Sequence, residues 1–435
     1  RGPVVSDLLP DLGATLSALW LGRRPSRALE GLLAMNRATT AAVFDSAVRG
    51  FEAPHQNVVF AARDGTIGYR LGGTVPVRRG WDGASPAGWE QVGDGWDGTW
   101  PSDSMPAALF PSSGDRGSSE SSHAAPGHLV SANNLQAPGL FGRVGSDYPA
   151  PFRARRIQSV LDTARGWDAE RTGGLQHDTR SLLADRLGRY AVAAARRAGE
   201  DSAAALLAGW DRDVDLDSRA ASIFYAWVYR LRSLVAGDEY RRTEAWGHFP
   251  VLGLIEVVRE ARESPWVDDV TTDEVEDLDA LEERAMRDAV AATGLRRWGD
   301  LHSERSAHPL GRVAWLDRLV GFDVGPYPSA GARQTVRPGD VRRWSSLDST
   351  SWQPPWSADA GPSQRFVATL GPGPSRGAFL LPTGQSGHPF DPHYRDMGRR
   401  WREGGDLVAV PLDSVGVDSV TERRLWLAPE SPDGS

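Results

Sequence analysis

The chain has 435 residues, more than the ~250–300 at which one hydrophobic core usually stops growing, so two domains or one large layered domain is expected. Hydrophobic residues make up 40%, charged residues 24%, and the net charge is −8, an ordinary globular composition whose lack of a basic field argues against nucleic acid as a partner. No apolar run approaches the ~18 residues of a spanning helix, and the absence of cysteine removes disulfides, thiolate catalysis and thiolate metal sites together.

The chain opens on Arg1-Gly2-Pro3-Val4, with neither an initiator Met nor a basic-then-apolar leader, which reads as a start internal to a longer product. Over residues 26–51, Ser26 can cap a helix, and Leu29, Leu32, Leu33, Val43, Phe44 and Val48 recur near helical spacing, predicting one or two helices. Two β-rich runs, 57–62 and 67–71, flank Asp64-Gly65, whose tolerance of positive φ predicts a hairpin with a tight primed turn. From 80 to 126 the composition shifts to Gly, Ser, Pro and Trp, and 111–126 reads as a long exposed loop. Residues 153–294 are helical in pattern almost throughout, including 182–198, 220–235 and an acidic helix start at Thr272-Asp273. After Trp298 the pattern returns to short apolar runs, of which 366–370 and 378–381 read as buried strands. Strand-rich ends around a helical middle predict an α+β layered fold in which non-consecutive segments share a sheet. We divide this unit into residues 1–152, 153–297 and 298–435.

Asn133-Asn134 follows a strand-like run, and Arg153 stands twenty residues on, just before a helix. An Asn amide there can donate to a developing oxyanion while Arg fixes its orientation. From spacing alone a turn is the better account of the dipeptide, because Asn tolerates left-handed backbone and bonds its own main chain. Gly384-Gln385-Ser386-Gly387-His388 suggests a nucleophile elbow, but His388 occupies a position that needs Gly, so a Gly-rich turn is the better account. No His pair has zinc-helix spacing. Asp211, Asp213, Asp215 and Asp217 alternate like a calcium loop yet lack its Gly and terminal Glu, and read as a connection capping a helix near Asp217. The acidic run from Asp268 to Asp277 reads as an exposed helix face at an N-terminus. The 17 Trp residues could line a ligand groove or simply anchor the core.

Several segments, in order along nearly the whole chain, resemble the penicillin acylase family of N-terminal-nucleophile hydrolases. They are Arg1-Gly2-Pro3-Val4, the hairpin of 57–69 leading into 73–78, Trp96-Asp97-Gly98, Val130-Ser131-Ala132-Asn133-Asn134, Asp147-Tyr148-Pro149 with Phe152-Arg153, Trp298 to His302, His308-Pro309-Leu310-Gly311, and Gly384 to Asp396. The resemblance implies a four-layer αββα sandwich with a large helical layer. It also implies a nucleophile, usually Ser, that becomes a subunit N-terminus after a spacer is removed and uses its own α-amino group as base. An α-amino pKa near ~7.7–8 leaves enough free base at neutral pH for that role. By position, Asn133 is implied as the oxyanion donor and Arg153 as the residue orienting the active-site groups. Asp147 is implied as one ligand of a structural Ca²⁺, with no organic cofactor.

The resemblance further implies an exported protein, periplasmic or extracellular, acting on small acylated amides such as β-lactam side chains or acyl-homoserine lactones. Its nucleophile, its small subunit and the first part of its large subunit would lie outside this sequence, so these residues alone would be inactive. The alternative is a truncated or ligand-binding protein on the same scaffold without catalysis.

Overall fold

The computed structural model describes residues 25–74, 127–136, 148–235, 250–269, 272–273, 275–339, 356–358, 360–371, 373–422 and 424–426, a few isolated positions, and the backbone at 76–77 and 103–104. The loop expected at 111–126 lies outside them. The chain divides into two compact units, residues 1–165 and 166–435, each mixing helix and strand in an α+β arrangement.

The first unit begins with α1 (Ala28–Arg37) and α2 (Ala41–Arg49). Two helices form where one or two were expected because Thr40 restarts the helix: its side chain accepts from the Val43 N–H at 3.2 Å, satisfying a donor left open in the first turn. Ser26 sits one residue too early to be the cap, which is Arg27, although its Oγ accepts from the Ala28 N–H. The apolar positions divide. Val48 is buried and Phe44 packs on Phe60 with ring centroids 5.0 Å apart, whereas Leu29, Leu32, Leu33 and Val43 are exposed.

β1 (Gln56–Ala61) and β2 (Ile67–Gly72) form the expected antiparallel hairpin. Its turn differs from the primed two-residue form, which requires positive φ at both central positions. Here Ala62 N–H donates to Thr66 O and Gly65 N–H to Ala62 O, leaving a three-residue loop in which Gly65 (φ 87°) takes the left-handed position and Asp64 does not. The Asp64 carboxylate instead accepts from the Thr66 N–H at 2.9 Å. On β2, Arg70 is buried and its guanidinium bonds Asp45 of α2 through both Nε and Nη2, the latter 2.8 Å from Oδ2. This bidentate pair fixes helix to hairpin with the directionality that a flat fork gives. Short strands β3 (Pro76–Val77) and β4 (Asp103–Ser104) pair antiparallel, and α3 (Phe152–Thr163) closes the unit.

In the second unit, α4 (Ala169–Leu175), α5 (Leu182–Arg197), α6 (Asp201–Ala208), α7 (Arg219–Val235), α8 (Val251–Arg259) and α9 (Leu278–Thr293) form the expected helical layer. α7 is its centre. Every position from Ala220 to Val235 except Leu234 is buried, as a helix apolar on all sides requires. Of its two buried arginines, Arg230 and Arg232, the first is neutralised by Asp288 of α9 at 2.6 Å. Among the described residues, no helix is long and apolar enough to cross a membrane.

Two helix starts differ from expectation. α7 is capped by Ser218, whose Oγ accepts from the Ala221 N–H, while Asp217 turns outward to Arg297 at 2.7 Å. The acidic run is a loop, not a helix face: Glu276 accepts from the Asp269 N–H and the Thr272 hydroxyl, Asp268 accepts from the Glu276 N–H, and only Asp277 caps α9. Carboxylates that satisfy main-chain donors locally favour such turns over a continuing helix.

After α10 (Trp298–Leu301), β5 (Ser303–Ser306) lies between antiparallel β6 (Val324–Pro328) and parallel β7 (Ser357–Ala358). α11 (Ala314–Val320) intervenes between β5 and β6. A second sheet runs β10–β9–β8, all antiparallel, from β8 (Arg365–Thr369), β9 (Arg376–Leu380) and β10 (Val408–Val410). The runs expected as fully buried strands are buried on one face only: Val367 and Leu380 are inside, whereas Phe366 and Leu370 are exposed. Leu380 packs with Met397 and with Trp401 of α12 (Gly398–Glu403), and α13 (Ser414–Val420) follows.

Candidate active site

Residues 127–136 form no ladder among the described residues, and their geometry is set by side chains. Asn134 is the turn former. Its Oδ1 accepts from the Ala132 N–H (3.1 Å) and from Gln136 Nε2 (3.1 Å), and its Nδ2 donates to Leu135 O. Gln136 Nε2 also reaches Ser131 Oγ and Asn134 O, so one amide staples the ends of the turn. Asn133 carries the left-handed backbone, φ 63°, which Asn tolerates better than most residues. Its side chain takes no part in the turn and is exposed.

That side chain meets Arg153 instead. Arg153 Nη2 donates to Asn133 Oδ1 at 2.7 Å. Arg153 stands in the first turn of α3, between Phe152 and Ala154, both buried, so the helix is anchored on either side of it. The contact is short because the donor is charged. It occupies the carbonyl end of the amide and, among the described residues, leaves both Nδ2 hydrogens without an acceptor. A guanidinium on the oxygen also polarises the amide and makes its N–H groups better donors. The arrangement is therefore a fixed neutral donor, backed by a positive charge, at a point where an anion can be met.

A second tie between α3 and this segment was not anticipated from the sequence. Gln158 Nε2 lies 2.7 Å from His128 Nε2 and donates to Asp162 Oδ1 at 2.9 Å, with His128 Nε2 3.4 Å from the same carboxylate. Two polar clamps, thirty and twenty residues apart in sequence, thus hold 127–136 against one helix. The i, i+4 spacing of Gln158 and Asp162 was the available sign of a paired face, but the sequence does not name the partner.

The other candidates are placed as follows. Asp147 lies outside the described residues, and among those described no group of three His, Asp or Glu side chains could hold a metal ion. Ser386 is a turn residue: its Oγ accepts from the His388 N–H, and its own N–H donates to His393 O. A Cβ at Gly384 would fall 2.0 Å from His393 O, which explains the glycine without a nucleophile. Asp215 accepts from Thr179 Oγ1 at 2.8 Å and Asp211 from the Asp213 N–H, so the alternating carboxylates are used singly.

A family model described as Penicillin amidase matches residues 1–418. The chain belongs to the penicillin amidase family. Among relatives, it is 26% identical over 474 residues to the acyl-homoserine lactone acylase QuiP of Pseudomonas aeruginosa, covering 99% of this chain and 53% of that protein. It is 26% identical over 458 residues to the penicillin acylase 2 proenzyme of Pseudomonas sp. (strain SE83), covering 98% and 53%. The chain thus spans about half the length of the relatives it matches. Its fold is similar to that of a thermostable penicillin G acylase from Alcaligenes faecalis, with a TM-score of 0.57 at 13% identity over 93% of this chain and 73% of that one. In this penicillin amidase family member, Asn133 and Arg153 are joined by a 2.7 Å hydrogen bond.

Proposed function

We propose that the protein containing this chain hydrolyses the amide bond of a small acylated substrate, a β-lactam side chain or an acyl-homoserine lactone, through an acyl-enzyme. Asn133 Nδ2 donates to the oxyanion of the tetrahedral intermediate, and Arg153 holds the amide in the donating orientation. The observation that carries this reading is the 2.7 Å bond from Arg153 Nη2 to Asn133 Oδ1, which leaves the amide hydrogens available. Membership of the family and the similarity to acylases that act on lactones and penicillins support it.

In the proposed reaction the nucleophile, an N-terminal Ser in sequence outside residues 1–435, attacks the amide carbonyl. Its proton passes to its own α-amino group, whose ordinary pKa of ~7.7–8 suits a base at neutral pH. The C–N bond breaks as the amine takes that proton, and water then releases the acid from the ester. Asn133 and the backbone donor that completes the hole stabilise charge in both steps, and a single such donor contributes ~10²–10³ in turnover. The finer architecture in this reading is a four-layer αββα sandwich completed by the missing subunit and the preceding part of the large one, with export from the cytoplasm. A calcium ion held in part by Asp147 would serve structure only.

The test is expression from the gene, mass spectrometry of the mature chains, and hydrolysis of phenylacetyl and long-chain acyl chromogenic amides. A chain beginning with Ser and turnover that collapses in Asn133→Ala would support the proposal. An unprocessed product that turns over no amide would end it.

A further inference from the structure

In the second unit, Arg337 and Arg365 are buried and, among the described residues, are in ion-pair contact with no carboxylate. Two other buried guanidinium groups are neutralised, Arg70 by Asp45 and Arg230 by Asp288. Arg337 is 9% exposed and Arg365 3%, yet among the described residues neither has a carboxylate within ion-pair distance. Burying a charge without a partner is among the costlier things a fold can do.

The two groups are brought together by residues 176–178, just after α4. Gln176 Nε2 donates to Phe366 O at 3.0 Å, beside Arg365, and Asp178 O accepts from the Arg337 N–H at 2.9 Å. Arg365 Nη1 donates to Trp401 O, the guanidinium carbon lies 4.0 Å from the Trp401 ring centroid, and Nε is buried with no partner. The Arg337 guanidinium makes no hydrogen bond among the described residues, although its main chain is tied at both ends, the carbonyl accepting from Thr335 Oγ1. Arg402, next to Trp401, stacks 3.6 Å from the Tyr327 ring centroid and adds a third positive group at the rim. On the acidic side, Glu304 spends Oε2 on the Ser329 hydroxyl at 3.2 Å, and Asp215 is held by Thr179.

The electrostatics agree with this geometry. Burial and then the neighbouring Arg337 bring Arg365 down to about 9, against the pull of Glu304. Burial also lowers Arg337, against the opposing pull of Glu304 and Asp215. Burial, followed by Arg365 and Arg337, takes the His177 imidazole to about 4 and keeps it neutral. Three guanidinium groups, Arg337, Arg365 and Arg402, thus interact here with two carboxylates, Glu304 and Asp215.

We propose that Arg337 and Arg365 form a binding site for a small free anion, of halide or formate size, at the junction of sheets β6–β5–β7 and β10–β9–β8. The anion takes the unpartnered Arg365 Nε–H and the free fork of Arg337. A small ion is called for because Arg365 is 3% exposed and its unpartnered Nε is sealed from solvent. The site lies in a different unit from Asn133 and does not depend on the proposed amide hydrolysis.

The test uses the protein as produced from its gene. Thermal unfolding is followed in bromide and in formate against gluconate at constant ionic strength, for wild type and Arg337→Gln, and crystals grown in bromide are examined by anomalous diffraction. The proposal expects a saturable rise in Tm for wild type, an affinity about tenfold or more weaker in Arg337→Gln, and a bromide peak between the two guanidinium groups. It also expects Arg337→Gln in gluconate to be no less stable than wild type, since that guanidinium has no hydrogen bond to lose. An equal response in both proteins overturns it, as does a bromide-free map in which a carboxylate of this chain lies between Arg337 and Arg365.

Discussion

Replacing Arg153 by Met removes the charged donor from Asn133 while keeping an unbranched chain of similar length in the first turn of α3. A hydrogen bond from a charged group contributes about 1.5–3 kcal/mol, and here it selects one orientation of an exposed side chain on a left-handed residue. Taken wholly from the transition state, that energy is worth ~10–150-fold in rate, at about 1.4 kcal/mol per decade. We therefore expect kcat on a chromogenic amide to fall ~10–150-fold with little change in KM, because an oxyanion donor acts in the transition state more than in the ground state. The loss should be no larger than the ~10²–10³ of Asn133→Ala. In the double variant the second substitution should add almost nothing, since Arg153 acts through Asn133. Wild-type kcat in Arg153→Met, or losses that multiply in the double variant, would refute the positioning role.

Two further outcomes follow from buried charge. Asp45→Ala leaves the Arg70 guanidinium buried and unpaired, so it should cost about 3–5 kcal/mol in denaturant unfolding, with much of the loss recovered by adding Arg70→Leu; a cost under about 1 kcal/mol would contradict the bidentate pair. His302 is 1% exposed, donates through Nδ1 to Ser329 O at 2.8 Å and stacks on Trp298, and burial brings it from its ordinary 6.5 down to about 4. Above pH 6.5 the ring is neutral in both states. As pH falls below 6.5 the unfolded chain binds a proton that the folded site refuses until about 4, so stability drops across that window by roughly 3 kcal/mol from this residue. Unfolding of wild type and His302→Gln at pH 7 and pH 4.5 should show the steeper loss in wild type; equal losses would remove His302 as the cause.

Local rules made much of the fold legible. The Asp64-Gly65 hairpin, the long helices of 182–197 and 219–235 and the strands of 365–369 and 376–380 all follow from spacing and turn chemistry. What the sequence misplaced were features decided by neighbours. Whether Asp268, Glu276 and Asp277 prolong a helix or tie a loop depends on main-chain donors that only the folded backbone brings near. Phe366 and Leu380 look alike in an apolar run, yet the sheet packs on one face alone.

The candidate site was legible in part. Asn133 and Arg153 could be named from their order in the chain, and the fold brings them to 2.7 Å. Both members of the dipeptide serve the turn, Asn134 through its side chain and Asn133 through its left-handed backbone, while the Asn133 side chain meets Arg153. The His128–Gln158–Asp162 clamp and the Arg337 and Arg365 groups, without a carboxylate contact among the described residues, were invisible, because nothing in a linear pattern says which of 49 arginines is so placed.

The most direct measurement is single-turnover acylation and deacylation by Asn133→Ala, in protein whose folding is checked against wild type by thermal unfolding. The account predicts that both steps slow by ~10²–10³ while substrate binding and stability change little, since the exposed side chain has Arg153 as its one hydrogen-bond partner among the described residues. Acylation at the wild-type rate in a folded Asn133→Ala protein would contradict it.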